Sequence, residues 1–153
     1  MKLIVKIIIT LFLAMSLNAD EMPTDMREKA VNMLNKFINI LHNNSFEKSA
    51  KLIVPLVHKT LLDRQNSQLN RDVFRFSFKK AYTHSRNYAY PVVVTRIQKL
   101  KTTGVGYGKK YEKGVEYKIW IDKKSSNLGM PAPIVLFFLN GEGEPKLSYI
   151  GSL

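Results

Sequence analysis

The spacing of apolar residues changes at Tyr90-Pro91, and that change decides which class of fold is open to this chain. Upstream, apolar residues recur every three or four positions, as helices with one buried face require. Downstream they alternate, as strands with one buried face require. A residue before proline is pushed toward extended geometry, so Tyr90-Pro91 is also a natural helix exit. Helices grouped first and strands grouped last predict an α+β domain, and short links between successive strands predict an antiparallel sheet.

The periodicity predicts a first helix over residues 24–42, with Thr24 or Asp25 able to cap it and Pro23 just outside. Its buried face is Met26, Ala30, Met33, Leu34, Phe37, Ile38 and Leu41. His42-Asn43-Asn44 ends it, and Ser45 caps a second helix with a stripe of Phe46, Ala50, Ile53 and Val54. Pro55 stops that helix because it has no N–H to give and crowds the preceding turn. Leu56 to Leu62 reads as a further short helical turn, and Asp63 to Asn70 as a polar loop. Asn70 caps a third helix over about 71–88, with Phe74, Phe78, Ala81, Tyr82 and Ser85 facing inward, Tyr88 or Ala89 at its end and Phe76 off that face.

Four strands follow. Val92 to Lys101 is β-rich, and Thr102 to Lys110, with Gly104, Gly106 and Gly108, reads as a hairpin connection. Gly114 to Asp122 alternates, with Val115, Tyr117, Ile119 and Ile121 on one side and Glu116, Lys118, Trp120 and Asp122 on the other. Lys123 to Met130 is a polar loop, and Pro133 to Leu139 is an apolar strand. Asn140-Gly141-Glu142-Gly143 carries turn chemistry, and Leu147 to Ile150 is the last strand.

Ahead of this domain stand Lys2 and Lys6, an apolar run from Ile7 to Leu17, and small Ala19 before Asp20-Glu21. That order predicts a signal peptide over residues 1–19, cleaved after Ala19, and a single domain over 20–153 exported to the periplasm or secreted. The run is shorter than the about 20 apolar residues a membrane helix needs. The chain has no cysteine, so no disulfide staples the fold and packing must hold it. The formal charge of +12 draws anions, and in that compartment the anions to expect are lipid head groups, acidic envelope polymers or an acidic protein rather than nucleic acid. Lys outnumbers Arg, and doublets such as Lys109-Lys110 and Lys123-Lys124 suit a solvated surface.

The order of elements, the final stretch from Pro133 through Leu139 to Lys146–Leu153, and the passage from Tyr88 through Pro91 into Val92-Val93-Val94 resemble the nuclear-transport-factor-two-like superfamily of cone-shaped α+β folds. The resemblance spans about residues 24–153. It implies three N-terminal helices packed in the concave face of a curved four-stranded antiparallel sheet, enclosing a pocket. It also implies a capacity for self-association through the sheet. Members of the superfamily include isomerases, dehydratases, ligand binders and structural subunits, so the fold does not choose the function. The chain is similar as well to periplasmic domains of some type IV secretion components.

Catalytic motifs are missing. His42, His58 and His84 form no helical pair and no thiolate exists, which argues against a metal centre. Gly104-Val105-Gly106-Tyr107-Gly108 has the wrong spacing for a dinucleotide loop. The acid–base candidates Asp72, Glu116 and Asp122 each have a simpler role: a helix dipole, a neutralising neighbour such as Lys118, and a strand end. No catalytic residue, metal or cofactor is assigned. Aromatic side chains that combine apolar area with one polar handle cluster near the helix-to-sheet junction, among them Tyr90, Tyr107, Tyr111 and Tyr149. Tyr82, Tyr88, Tyr117 and Trp120, with His58 and His84 as polar groups at a pocket mouth, are the expected ligand-binding residues. The sequence therefore predicts a non-enzymatic periplasmic binding or accessory protein for a small apolar or aromatic ligand or an envelope partner. The alternatives are a small isomerase- or hydratase-like enzyme using a pocket His or carboxylate, and an assembly subunit of an envelope secretion machine.

Overall fold

The computed structural model describes residues 22–100, 104–105, 112–151 and 153. The expected signal segment, most of the 102–110 connection with Tyr107, and Tyr111 lie outside the described residues. The domain is α+β, with three helices followed by a four-stranded antiparallel sheet. Among the described residues no helix is long and apolar enough to cross a membrane.

Helix α1 (Thr24–Asn43) buries Met26, Ala30, Met33, Leu34, Phe37, Ile38 and Leu41, the face that the periodicity predicts. Its start differs from expectation. Pro23 occupies the cap position, no side chain caps the helix, and the Pro23 carbonyl accepts from Arg27 N at 2.8 Å. Thr24 and Asp25 are already helical, as proline's fixed φ suits entry to a helix and leaves no cap role for its successors. Helix α2 (Phe46–Leu52) begins at Ser45, whose hydroxyl accepts from Lys48 N. Around Pro55 the chain tightens into a 3₁₀ turn (Val54–Leu56), and a second 3₁₀ turn (Lys59–Leu61) follows, so the expected single turn over 56–62 is split in two.

Helix α3 (residues 71–87) starts under Asn70, whose Oδ1 accepts from Val73 N at 2.9 Å. It opens as a π-helical turn over Val73–Phe78, runs as α-helix over Lys79–His84 and closes as 3₁₀ over Ser85–Asn87. Phe78, Ala81, Ser85 and Tyr88 are buried and Phe74 and Tyr82 half-buried, while Phe76 is 66% exposed. Polar contacts fasten the helices to one another, among them His42 Nε2 to Ser85 O at 2.8 Å, Tyr82 Oη donating to Asn44 O at 3.0 Å and Ser49 Oγ donating to Ile40 O at 3.2 Å. The Tyr90-Pro91 peptide is cis, and Val92 N beyond it donates to Asn35 Oδ1 of α1 at 2.7 Å.

The sheet runs β1 (Val94–Lys99), β3 (Glu112–Ile121), β4 (Ala132–Leu139) and β5 (Lys146–Tyr149) in spatial order, with the short β2 (Gly104–Val105) paired to the start of β3. Tyr117, Ile119 and Ile121 are buried and join Ile134, Leu136 and Phe138 in one apolar cluster with the α1 face, Phe78 and Leu147. Successive residues of a strand point to opposite faces. Val135 and Phe137 therefore belong to the other face, yet they too are buried. Asn140 and Gly141 both have positive φ, as the tight β4–β5 hairpin requires, with Glu142 N donating to Leu139 O at 3.0 Å. Gly114 has a different reason to lack a side chain: a Cβ there would lie 2.2 Å from Phe138 O and 2.5 Å from Phe137 Cε2.

Candidate functional site

Among the described residues, two places bring chemistry-bearing groups together. The first is a cleft of about 590 Å³ between α2 and the loop that leads into α3. The loop is built by its own polar groups. Asp63 accepts from Ser67 N at 2.9 Å and from Ser67 Oγ at 3.1 Å, and its own N–H donates to Gln68 O. Asn66 takes a positive φ of 56°, which asparagine tolerates better than most residues. Leu62 and Leu69 pair across the base as an isolated bridge, so the loop stands as a closed wall. The hydrogen bonds from Ser67, backbone first, hold the Asp63 carboxyl below its ordinary value.

Ala50 and Val54 come from α2 and the turn after it, Leu69 from the loop and Phe74 from α3; together they make an apolar floor. Glu47, Lys51, Asp63 and Arg71 supply charges of both signs around it. Phe74 is one of a chain of rings: its centroid lies 5.0 Å from that of Phe46, and Phe46 contacts Phe78 at 5.1 Å and Tyr82 at 5.3 Å. An apolar floor backed by packed aromatics, with a few charged groups around it, is what an amphiphilic small molecule needs.

The second place is a clasp around His58, whose side chain is 2% exposed. The backbone N–H of His58 donates to Leu147 O at 2.8 Å, and Val57 bridges Leu147 in parallel, so the segment lies along β5. The ring then reaches the start of β3. Nε2 lies 2.8 Å from Glu112 Oε2, Nδ1 lies 2.9 Å from Thr60 Oγ1, and Thr60 N donates to Nδ1 at 3.3 Å. Because a backbone N–H points at Nδ1, the proton sits on Nε2 and is donated to Glu112. The imidazole packs edge-on against Phe137 at 4.9 Å, which accounts for part of the burial of that outer-face ring. Lys59 Nζ is 3.0 Å from Glu112 Oε1. Burial pushes the His58 pKa down and outweighs the neighbouring carboxylate. Burial pushes Glu112 up, but hydrogen bonds from Lys59 and His58 overcome it and leave its pKa lowered. A hydroxyl, an imidazole and a carboxylate in a row could move a proton, yet both ring nitrogens are engaged and the ring is sealed. The arrangement is suited to fastening the 54–62 segment across the sheet.

The six expected ligand-binding residues stand at separate places among the described residues. His58 is in the clasp. His84 is exposed at the end of α3. Tyr82 joins the ring chain behind Phe74 without lining the cleft. Tyr88 is buried under Lys123, whose Nζ lies 5.8 Å from the ring centroid, and burial raises the Tyr88 pKa. Tyr117 is buried edge-on to Phe138. Trp120 lies half-buried on the opposite face, with Arg96 4.5 Å and Lys118 5.0 Å from its ring. None of the six lines the cleft, nor a more polar recess of about 330 Å³ beside Arg27 and Arg96. Among the acids, Glu116 accepts from Ser148 Oγ at 2.6 Å, Asp122 from Lys123 N at 2.9 Å, and Asp72 is exposed. Glu112 is the acid that sequence reasoning passed over; its partner is 54 positions away, and no local spacing announces the pair. The cleft was missed because Asp63 to Asn70 read only as a polar loop. The self-bonding Asp63–Ser67 pair was the available signal that it holds a shape.

Among the described residues no group of three or more His, Asp or Glu side chains could hold a metal ion. No family model, curated protein or solved structure matches the chain.

Proposed function

We propose that this chain is a non-enzymatic binding or accessory protein, exported to the periplasm, which holds a small apolar or aromatic ligand or an apolar group of an envelope partner. The observation that carries the reading is the cleft over Ala50, Val54, Leu69 and Phe74: its volume of about 590 Å³ lies within the about 300–1,000 Å³ common for small-molecule sites. Charges of both signs at its edge favour a ligand that is apolar in the middle and polar at an end. The export signal read from residues 1–19 supports the compartment. One apolar cluster shared by α1, α3 and the strands supports a cone in which the helices fill the concave side of the sheet, as the superfamily resemblance implies.

The test is a fluorescence titration with anilinonaphthalene sulfonate, an anionic aromatic probe. Saturable binding at one site is expected, with Gln68→Trp, an exposed residue of the lining, weakening it at least tenfold by filling the cleft. Equal binding by the variant would remove the reading. The enzyme alternative is supported by the His58–Glu112 hydrogen bond. It requires the clasp to open: solvent-exchange protection of the His58 Nε2 proton in NMR would set it aside. For assembly into an envelope machine, the support is the excess of basic residues.

A further inference from the structure

Helix α3 carries a surface that the cleft does not use. Its exposed residues include Arg75, Phe76, Lys79, Lys80 and Arg86; Asp72, also exposed and four positions before Phe76, is the one acid among residues 71–87. Phe76 stands 66% exposed near the middle of this arc, because Lys79 and Lys80 follow it at three and four positions and share its side of a helix. The Arg75 guanidinium lies 5.9 Å from the Phe76 ring centroid. Lys80 Nζ donates to Gly151 O at 3.2 Å. The π-helical turn Val73–Phe78 includes Phe76, and such turns recur at functional positions.

A single exposed apolar residue is ordinary on a protein surface; what sets Phe76 apart is the mainly basic face in which it stands. Protein–protein interfaces are depleted in lysine and seat their aromatic anchors in pockets. A lone aromatic among lysines and arginines on a helix is instead the composition of a membrane-surface contact. There the ring enters the head-group layer while the cations meet lipid phosphates and their stems stay along the apolar boundary. The formal charge of +12, or +10 once Lys2 and Lys6 leave with the signal segment, favours the same approach. We infer that the Arg75–Phe76–Lys79–Lys80 face of α3 docks the protein on an anionic lipid surface. This goes beyond ligand holding in the cleft and does not depend on it.

The full chain is sedimented with vesicles of 30% phosphatidylglycerol in phosphatidylcholine, and with phosphatidylcholine alone, at low and at physiological salt. Because the N-terminal segment carries Lys2 and Lys6, the contribution of α3 is read as the difference between the native chain and a variant changed on α3 alone, in which that segment is unaltered. Each cation near an anionic surface contributes about fivefold to partition. Lys79→Glu with Lys80→Glu is expected to abolish the preference for anionic vesicles. Phe76→Ser is expected to weaken binding several-fold while leaving most of the salt dependence. Phe76→Trp is expected to show a blue-shifted emission on anionic vesicles that the chain's native Trp120 does not. No preference for anionic lipid, or an equal preference in the charge-reversed chain, overturns the inference. Retention on an acidic polypeptide such as polyglutamate, without vesicle binding, also overturns it and assigns the face to an acidic protein.

Discussion

Helices α1 and α3 are of comparable length and do opposite work with their surfaces. Seven residues of α1 at regular spacing go into the core, and their loss would empty it. Helix α3 also buries one side, through Phe78, Ala81 and Ser85, but it turns a phenylalanine and a row of cations outward and widens into a π turn where it does so. The difference teaches that helical periodicity identifies a core face reliably, and that the residues which break the pattern are where to look for contacts beyond the fold.

Truncation of the core positions should open the widest gap. Phe37→Ala and Phe78→Ala, both at fully buried rings, are expected to lower unfolding free energy by about 3–5 kcal/mol in urea titrations. Phe76→Ala should stay within about 0.5 kcal/mol of the native chain, as surface changes do. Equal losses at positions 76 and 78 would break the comparison. The two helix starts give a smaller contrast in the same assay. Asn70→Ala removes a real cap from α3 and should cost about 1 kcal/mol. Thr24→Ala at the start of α1 should cost only a few tenths, because Pro23 holds the cap position and no side chain bonds there.

Acid should separate the regions further. The seven buried residues of α1 include no titratable side chain, whereas the 54–62 segment is pinned through His58. The folded pKa of His58 lies below its ordinary 6.5, so the unfolded chain takes up the proton first. Stability therefore falls as the pH drops through about 6.5 and continues to fall until the folded imidazole also titrates. The lowered pKa of Glu112 adds a loss of the same sign below its ordinary 4.5. Amide exchange at Leu61 and Leu62 is expected to accelerate relative to Leu34 and Phe37 between pH 7 and 5. His58→Gln should remove the part of that acceleration that starts near 6.5; an unchanged profile in the variant would assign it elsewhere.

Local patterning made much of the architecture legible. Met26 to Leu41, Asn70 as a cap, Phe76 off its face, Tyr117-Ile119-Ile121 as a buried row and Asn140-Gly141 as a turn all follow from spacing or backbone preference within a few residues. The site was far less legible because its parts meet only through the fold. His58 and Glu112 join residues 54 apart in sequence, and the cleft needs α2, a closed loop and the first turn of α3 at once. The tyrosines expected to line a pocket make contacts that residue type alone does not foretell, as with Tyr117 against Phe138 and Tyr82 on Asn44. A tyrosine's residue type does not say whether its ring ends in a core or in a pocket.

Gly114 has a consequence for how the strands find one another. The Phe137 ring and the Phe138 carbonyl occupy the space where its side chain would stand, opposite Leu139 in the ladder. If β3 slid by two residues either way, Glu112 or Glu116 would arrive at that spot and drive a carboxylate into an aromatic ring. A missing methyl thus acts as a keyway: the sheet locks in one alignment because only there does β3 present a blank tooth to its neighbour.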